Sequence, residues 1–64
     1  MTTTINGRQL YNITISHYRG DVLWAFQTWH KSTEDATAYG IRMAAKEYAD
    51  EPASVIRVSA ELAA

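Results

Sequence analysis

From Gln9 to His17 the chain alternates, with Tyr11, Ile13 and Ile15 at one parity and Asn12, Thr14 and Ser16 at the other. A two-residue period of this kind marks a strand with one buried face. Tyr18-Arg19-Gly20-Asp21 reads as a turn and Val22 to His30 as the next strand, although apolar groups occur there at both parities. Hairpin geometry sets the phase. With Arg19-Gly20 as the loop, or any loop of even length, Ile15 faces Trp24 and Ile13 faces Phe26, which puts Leu23, Ala25, Gln27 and Trp29 on the opposite side. A three-residue loop reverses the second strand. Ala53 to Leu62 alternates again, with Ile56, Val58, Ala60 and Leu62 inward and Val55, Arg57, Ser59 and Glu61 outward. At the start, β-branched Thr2-Thr3-Thr4-Ile5 runs into Asn6-Gly7, a pair suited to the positive φ angles of a type I′ turn, so a short first strand is expected to pair with the segment from Arg8.

Only residues 32–50 carry a helical period. Ser32 is a good N-cap, Asp35 stands where the acidic partner of a capping box sits, and Glu34 and Asp35 put negative charge in the first turn. Asp50-Glu51-Pro52 ends the run, because the residue before a proline is driven out of the helical region. At 100° per residue Ala36, Thr37, Gly40, Ile41, Ala44, Ala45 and Tyr48 share one broad arc, with Arg42, Lys46 and Asp35 opposite and Tyr39 and Met43 on the polar side or its border. Gly40 costs about 1 kcal/mol against alanine inside a helix, and the expected reason for it is a large ring from a strand lying over it.

A helix of about 17 residues spans about 25 Å, close to one strand length. The last strand therefore runs in the same direction as the second long strand and pairs beside the first, which becomes central. The Asn-Gly hairpin competes for that same edge unless it occupies only the far end. The expected fold is α+β: one domain over residues 1–64, with a small antiparallel sheet of three to four strands and one helix packed on one face. Its expected core is Ile13, Ile15, Trp24, Phe26, Ile41, Tyr48, Ile56 and Val58. One helix covers one face of a sheet, so the other face is left to solvent or to a partner.

Composition narrows the function. A chain of 64 residues buries only about 60% of its unfolded surface. It has no cysteine, hence neither a disulfide nor a thiolate for zinc. No apolar run approaches the length of a membrane span, and the Met-Thr-Thr-Thr start lacks the basic and apolar regions of a signal peptide. The expectation is a soluble protein of the cytoplasm. A net charge of −1 argues against nucleic acid as the main ligand. The charge is uneven, however: residues 32–51 hold Glu34, Asp35, Glu47, Asp50 and Glu51 against Arg42 and Lys46, while the remainder holds Arg8, Arg19, Lys31 and Arg57 against Asp21 and Glu61.

Catalytic signatures are lacking. His17 flanks the turn and His30 ends a strand, well apart in the hairpin register, and no carboxylates stand at ligand spacing around them. No serine or threonine has a matched histidine and acid, and the glycines are scattered rather than gathered in a phosphate loop. Neither enzyme activity nor a cofactor or metal is expected. Arg19-Gly20-Asp21 spells an integrin-ligand tripeptide and Asn12-Ile13-Thr14 a glycosylation sequon, but a turn and a strand account for them in a chain without a secretion signal.

The hairpin around Tyr18-Arg19-Gly20-Asp21, the helix opening Ser32-Thr33-Glu34-Asp35-Ala36 and the strand Val55-Ile56-Arg57-Val58 together give a build that resembles very small phage-encoded inhibitors. Several anti-CRISPR proteins and a short inhibitor of host RNA polymerase share it. The resemblance is one of architecture over nearly the whole chain, and it carries over no functional residue. The near-neutral charge departs from the strongly acidic DNA mimics among such inhibitors. What the resemblance implies is a stoichiometric inhibitor that occupies a surface on a host protein or ribonucleoprotein. The residues assigned to that contact are Leu23, Trp29 and Arg57 on the open sheet face, Tyr18 and Arg19 at the hairpin tip, and Tyr39 and Met43 as a second patch on the helix. Two alternatives stand beside it: nucleic-acid binding by Arg8, Arg19, Lys31 and Arg57 with Trp29, and a homodimer that hides the open sheet face.

Overall fold

The computed structural model describes residues 4–5 and 7–63, with side chains from residue 7 onward. The chain forms β1 (Thr4–Ile5), β2 (Arg8–His17), β3 (Val22–His30), α1 (Thr33–Glu47), one 3-10 turn (Ala53–Val55) and β4 (Ile56–Leu62). All pairings are antiparallel, and β2 is central. On one edge it meets β3, from Gln9↔His30 to Ser16↔Val22. On the other it meets β4, from Tyr11↔Leu62 to His17↔Ile56. β1 pairs with Arg8 and Gln9. Gln9 already faces His30 on the β3 side, so β1 takes the β4 side, beyond the end of β4. The two candidates for one edge thus share it end to end. Gly7 has φ 76, as the expected turn requires; Asn6 and residues 2–3 lie outside the described residues.

The β2–β3 register matches the expected one by an unexpected route. His17 N–H donates to Asp21 O at 2.8 Å and Gly20 N–H to His17 O at 2.8 Å. These bonds close a three-residue loop, Tyr18-Arg19-Gly20, with Gly20 at φ 103. An odd loop inverts the second strand. Here a bulge inverts it again, because the register steps from Ser16↔Val22 to Ile15↔Trp24 and leaves Leu23 without an opposite residue. Trp24 and Phe26 therefore lie opposite Ile15 and Ile13 as expected, over the side that α1 covers.

Against that face α1 sets Ala36, Gly40 and Ala44, all buried. A Cβ on Gly40 would stand 2.6 Å from Val58 Cγ1 and 2.9 Å from Ile13 Cγ2. Branched aliphatic chains thus fill the place assigned to a ring. Ile13 and Ile15 are fully buried, and Tyr11, Ile13 and Ala36 form a cluster against which Phe26, Tyr39, Val58 and Ala60 pack. One expected core member is misplaced: Ile41 is 55% exposed. Tyr39 and Ile41 stand about 100° to either side of Gly40, so the helical wheel alone does not choose between them. The ring of Tyr39 reaches Phe26 (centroids 6.2 Å) and His30 (5.0 Å), which turns that flank inward and Ile41 out.

Two boundaries also shift. The helix ends at Glu47, with Tyr48 leaving helical geometry at φ −121, so residues 48–50 form a turn. Ala53 to Val55 are not strand: Val55 N–H bonds Pro52 O at 3.1 Å and Ile56 N–H bonds Ala53 O, a tight turn that leads the chain into β4.

Candidate functional site

The three-residue loop makes the end of the β2–β3 hairpin an ordered surface. Arg19 N–H donates to His17 Nδ1 at 3.3 Å, and Arg19 Nε donates to Tyr18 Oη at 3.2 Å. The guanidinium lies 5.6 Å from the centre of the Tyr18 ring, and the His17 ring stacks obliquely on it at 4.6 Å. A cation over an aromatic face is held by the ring quadrupole, so the tip carries a preset Tyr–Arg pair. Beside it the bulge leaves Val22 62% and Leu23 39% exposed, while Tyr18 is 52% exposed. Sequence reasoning did not assign Val22, because the signal was the odd loop length, which only the hydrogen bonds reveal.

On the sheet face away from α1, the register lines up Val22, Ser16 and Arg57 across three strands. Arg57 thus lies in the row nearest the hairpin end. Its guanidinium turns to the edge of β4, where Nη1 donates to Ser54 O at 2.7 Å and Ile56 O at 3.3 Å. The next rows are small or polar: Ala25, Thr14 and Ser59, then Gln27, Asn12 and Glu61, with Gln27 Nε2 donating to Asn12 Oδ1 at 2.7 Å. Trp29 lies in the far row, opposite Leu10, and both are half-buried. The structure therefore brings Tyr18, Arg19, Leu23 and Arg57 to one end and holds Trp29 at the other. Tyr39 and Met43 are on the helix side and half-buried, with Arg42 5.9 Å from the Tyr39 ring centre. Tyr39 belongs to the edge of the core and offers little free surface. Of the four strand cations, Arg8 and Lys31 flank the Gln9↔His30 pair, while Arg19 is at the opposite tip, so they form no single stripe.

His30 holds a feature that residue type alone did not announce. Its Nδ1 meets Asp35 Oδ2 at 2.9 Å, and its Nε2 is buried without a hydrogen-bond partner among the described residues. Asp35 N–H donates to Ser32 Oγ at 3.1 Å, so the N-cap forms as expected. The Asp35 carboxylate goes to the histidine and not back to the cap, so the second half of the capping box is replaced by a strand-to-helix tie. The hydrogen bond from His30 is the main cause that holds the Asp35 carboxyl below its usual range, and desolvation works against it. The His30 ring lies between the rings of Tyr11 (centroids 6.4 Å) and Tyr39 (5.0 Å). Among the described residues no group of three or more potential ligands is placed to hold a metal ion, and no helix is long and apolar enough to cross a membrane.

No protein-family model, curated protein or solved structure matches the chain.

Proposed function

We propose that the protein binds a larger protein or ribonucleoprotein through the β2–β3 end of its open sheet face, and acts by occupying that surface without chemistry of its own. The observation that carries this reading is the grouping of Tyr18, Val22 and Leu23 as exposed apolar neighbours on a turn whose side chains are already held. Tyrosine and arginine anchors dominate the energetics of many interfaces. A preset tip also spares much of the side-chain ordering that binding costs. Arg57, in the same sheet row as Val22, supplies a second cation at the rim. An inhibitor of the phage-encoded kind, acting one to one in the host cytoplasm, is the form of this reading that an exposed, internally held hairpin end supports.

The test is capture from host lysate with tagged parent and with Tyr18→Ala/Leu23→Ala. Both positions are exposed, so the variant should melt like the parent. Its partner affinity should fall at least about tenfold, the effect of losing one anchor of about 1.4 kcal/mol. Undiminished capture by the double variant removes the hairpin end as the site. A shift with single-stranded DNA or RNA at low salt that fades toward physiological salt would favour nucleic-acid binding in its place.

A further inference from the structure

Opposite β3, the outer edge of β4 is open: among the described residues β4 pairs only with β2. Tyr18 N–H donates to Val55 O at 2.8 Å and Ala63 N–H to Leu10 O at 2.9 Å. These two bonds set the phase of the ladder, so 55, 57, 59, 61 and 63 turn their backbone groups toward β2 while Ile56, Val58, Ala60 and Leu62 turn theirs outward. Above that edge runs an apolar groove of about 540 Å³ between α1 and β4, lined among others by Ile41, Ala45, Tyr48, Ile56 and Val58. Away from the hairpin end, where Tyr18, Val22 and Leu23 are exposed, Ile41 and Leu62 are the large apolar side chains left exposed among the described residues, at 55% and 43%.

We infer that this edge pairs with β4 of a second copy of the chain, antiparallel about a two-fold axis at Ser59, so that the two sheets become one. The argument is a coincidence of three independent requirements. Overlap of the whole strand needs Ile56 opposite Leu62 of the second copy, which places Ser59 opposite itself. In that register Val58 meets Ala60 of the second copy, and both belong to the outward-facing set, so the backbone groups match in phase. Ile56 N–H is already taken by Ala53 O, but Ile56 O remains to accept from Leu62 N–H of the second copy. The same register sets Arg57 opposite Glu61 of the second copy, twice by symmetry, at non-hydrogen-bonded positions where side chains approach most closely. A slip by two residues in either direction loses both charge pairs and shortens the overlap. On the helix side, the register covers Leu62 with Ile56 and brings the two grooves, with their Ile41 side chains, together.

Arg57 now rests on Ser54 O and Ile56 O. In the pair, the bond to Ile56 O passes to the Leu62 N–H of the second copy, and the guanidinium turns to the carboxylate. The competing role for Arg57 is to guard a solitary edge, as charged side chains on edge strands do. The two roles predict opposite results.

The experiment is sedimentation equilibrium of the untagged full chain up to about 1 mM, the weak limit of a specific association, with circular dichroism to check folding. The parent should show a dimer that grows with concentration. Arg57→Glu and Glu61→Arg each set like charges opposite one another and should each weaken the dimer at least about tenfold, and the double variant should restore it. The chain has no cysteine, so Ser59→Cys gives a clean second readout: it should form an interchain disulfide on oxidation, whereas Gln27→Cys, on the opposite edge strand, should not. A parent that stays monomeric, Arg57 variants that associate more than the parent, or a double swap that fails to restore what each single swap lost overturns the inference. Tyr18→Ala/Leu23→Ala should leave the dimer unchanged while weakening the foreign partner, and Ser59→Cys reads the dimer alone, so the two losses are told apart although Arg57 borders both surfaces.

Discussion

The His30 side chain is 9% exposed, and its Nδ1–H donates to Asp35 Oδ2 at 2.9 Å while the Asp35 side chain stays 53% exposed. A carboxylate only accepts, so the proton on Nδ1 follows from the partner. Asp35 has its folded pKa lowered, chiefly by this bond. Such a group contributes stability that is complete above its unfolded value, about 3.9, and is lost as pH falls through the lower folded value. Exposure keeps the contribution small. Asp35→Asn should therefore lower the urea midpoint modestly at neutral pH. The gap between parent and variant should close as pH drops below about 3.9. A gap that stays constant as the pH falls well below the ordinary carboxylate range would show that charge is not what the pair contributes.

Between elements, α1 approaches the sheet closely at Gly40. Alanine at this position gains about 1 kcal/mol of helix propensity. It also forces a methyl group to 2.6 Å from Val58 Cγ1 and 2.9 Å from Ile13 Cγ2. Val58 is half-buried, but Ile13 is fully buried on the central strand. Overpacking of about 1–3 kcal/mol outweighs the propensity gain. Gly40→Ala should lower the melting temperature, by a net loss of about 1 kcal/mol. An unchanged or raised melting temperature would mean that the helix lifts freely from the sheet. The β2–β3 hairpin shows a different interplay: the three-residue loop and the bulge at Leu23 each invert β3, and together they keep Trp24 and Phe26 over the core side.

Across the whole molecule, stability rests on few fully buried side chains, chiefly Ile13 and Ile15 on β2, with Ala36 above them. Ile13→Ala should cost about 2–5 kcal/mol, most of what a domain of this size has. Ile41→Ser should change stability by no more than about 0.5 kcal/mol, when measured on protein dilute enough that association does not contribute. Urea titrations of the two variants check the contrast. If Ile41→Ser proves as damaging as Ile13→Ala, then α1 sits on the sheet by its other flank.

The alternation on β2 and β4 and the Ser32 N-cap of α1 were legible from residue types, because strand faces and helix starts depend on neighbours only a few positions away. That sufficed for the α+β class, the central position of β2, the burial of Ile13 and Ile15 and the open sheet face. Other features depended on groups distant in the chain meeting in space. The flank of α1 that turns inward was chosen by the Tyr39 ring against Phe26 and His30. The Asp35 carboxylate left its cap for His30 because β3 ends beside the helix start. Arg57 shares a row with Val22 and lies apart from Trp29 because both strands are registered on β2. The free edge of β4 follows from the order of the strands: periodicity shows which way side chains point, but only the assembled sheet shows which backbone groups remain without a partner strand.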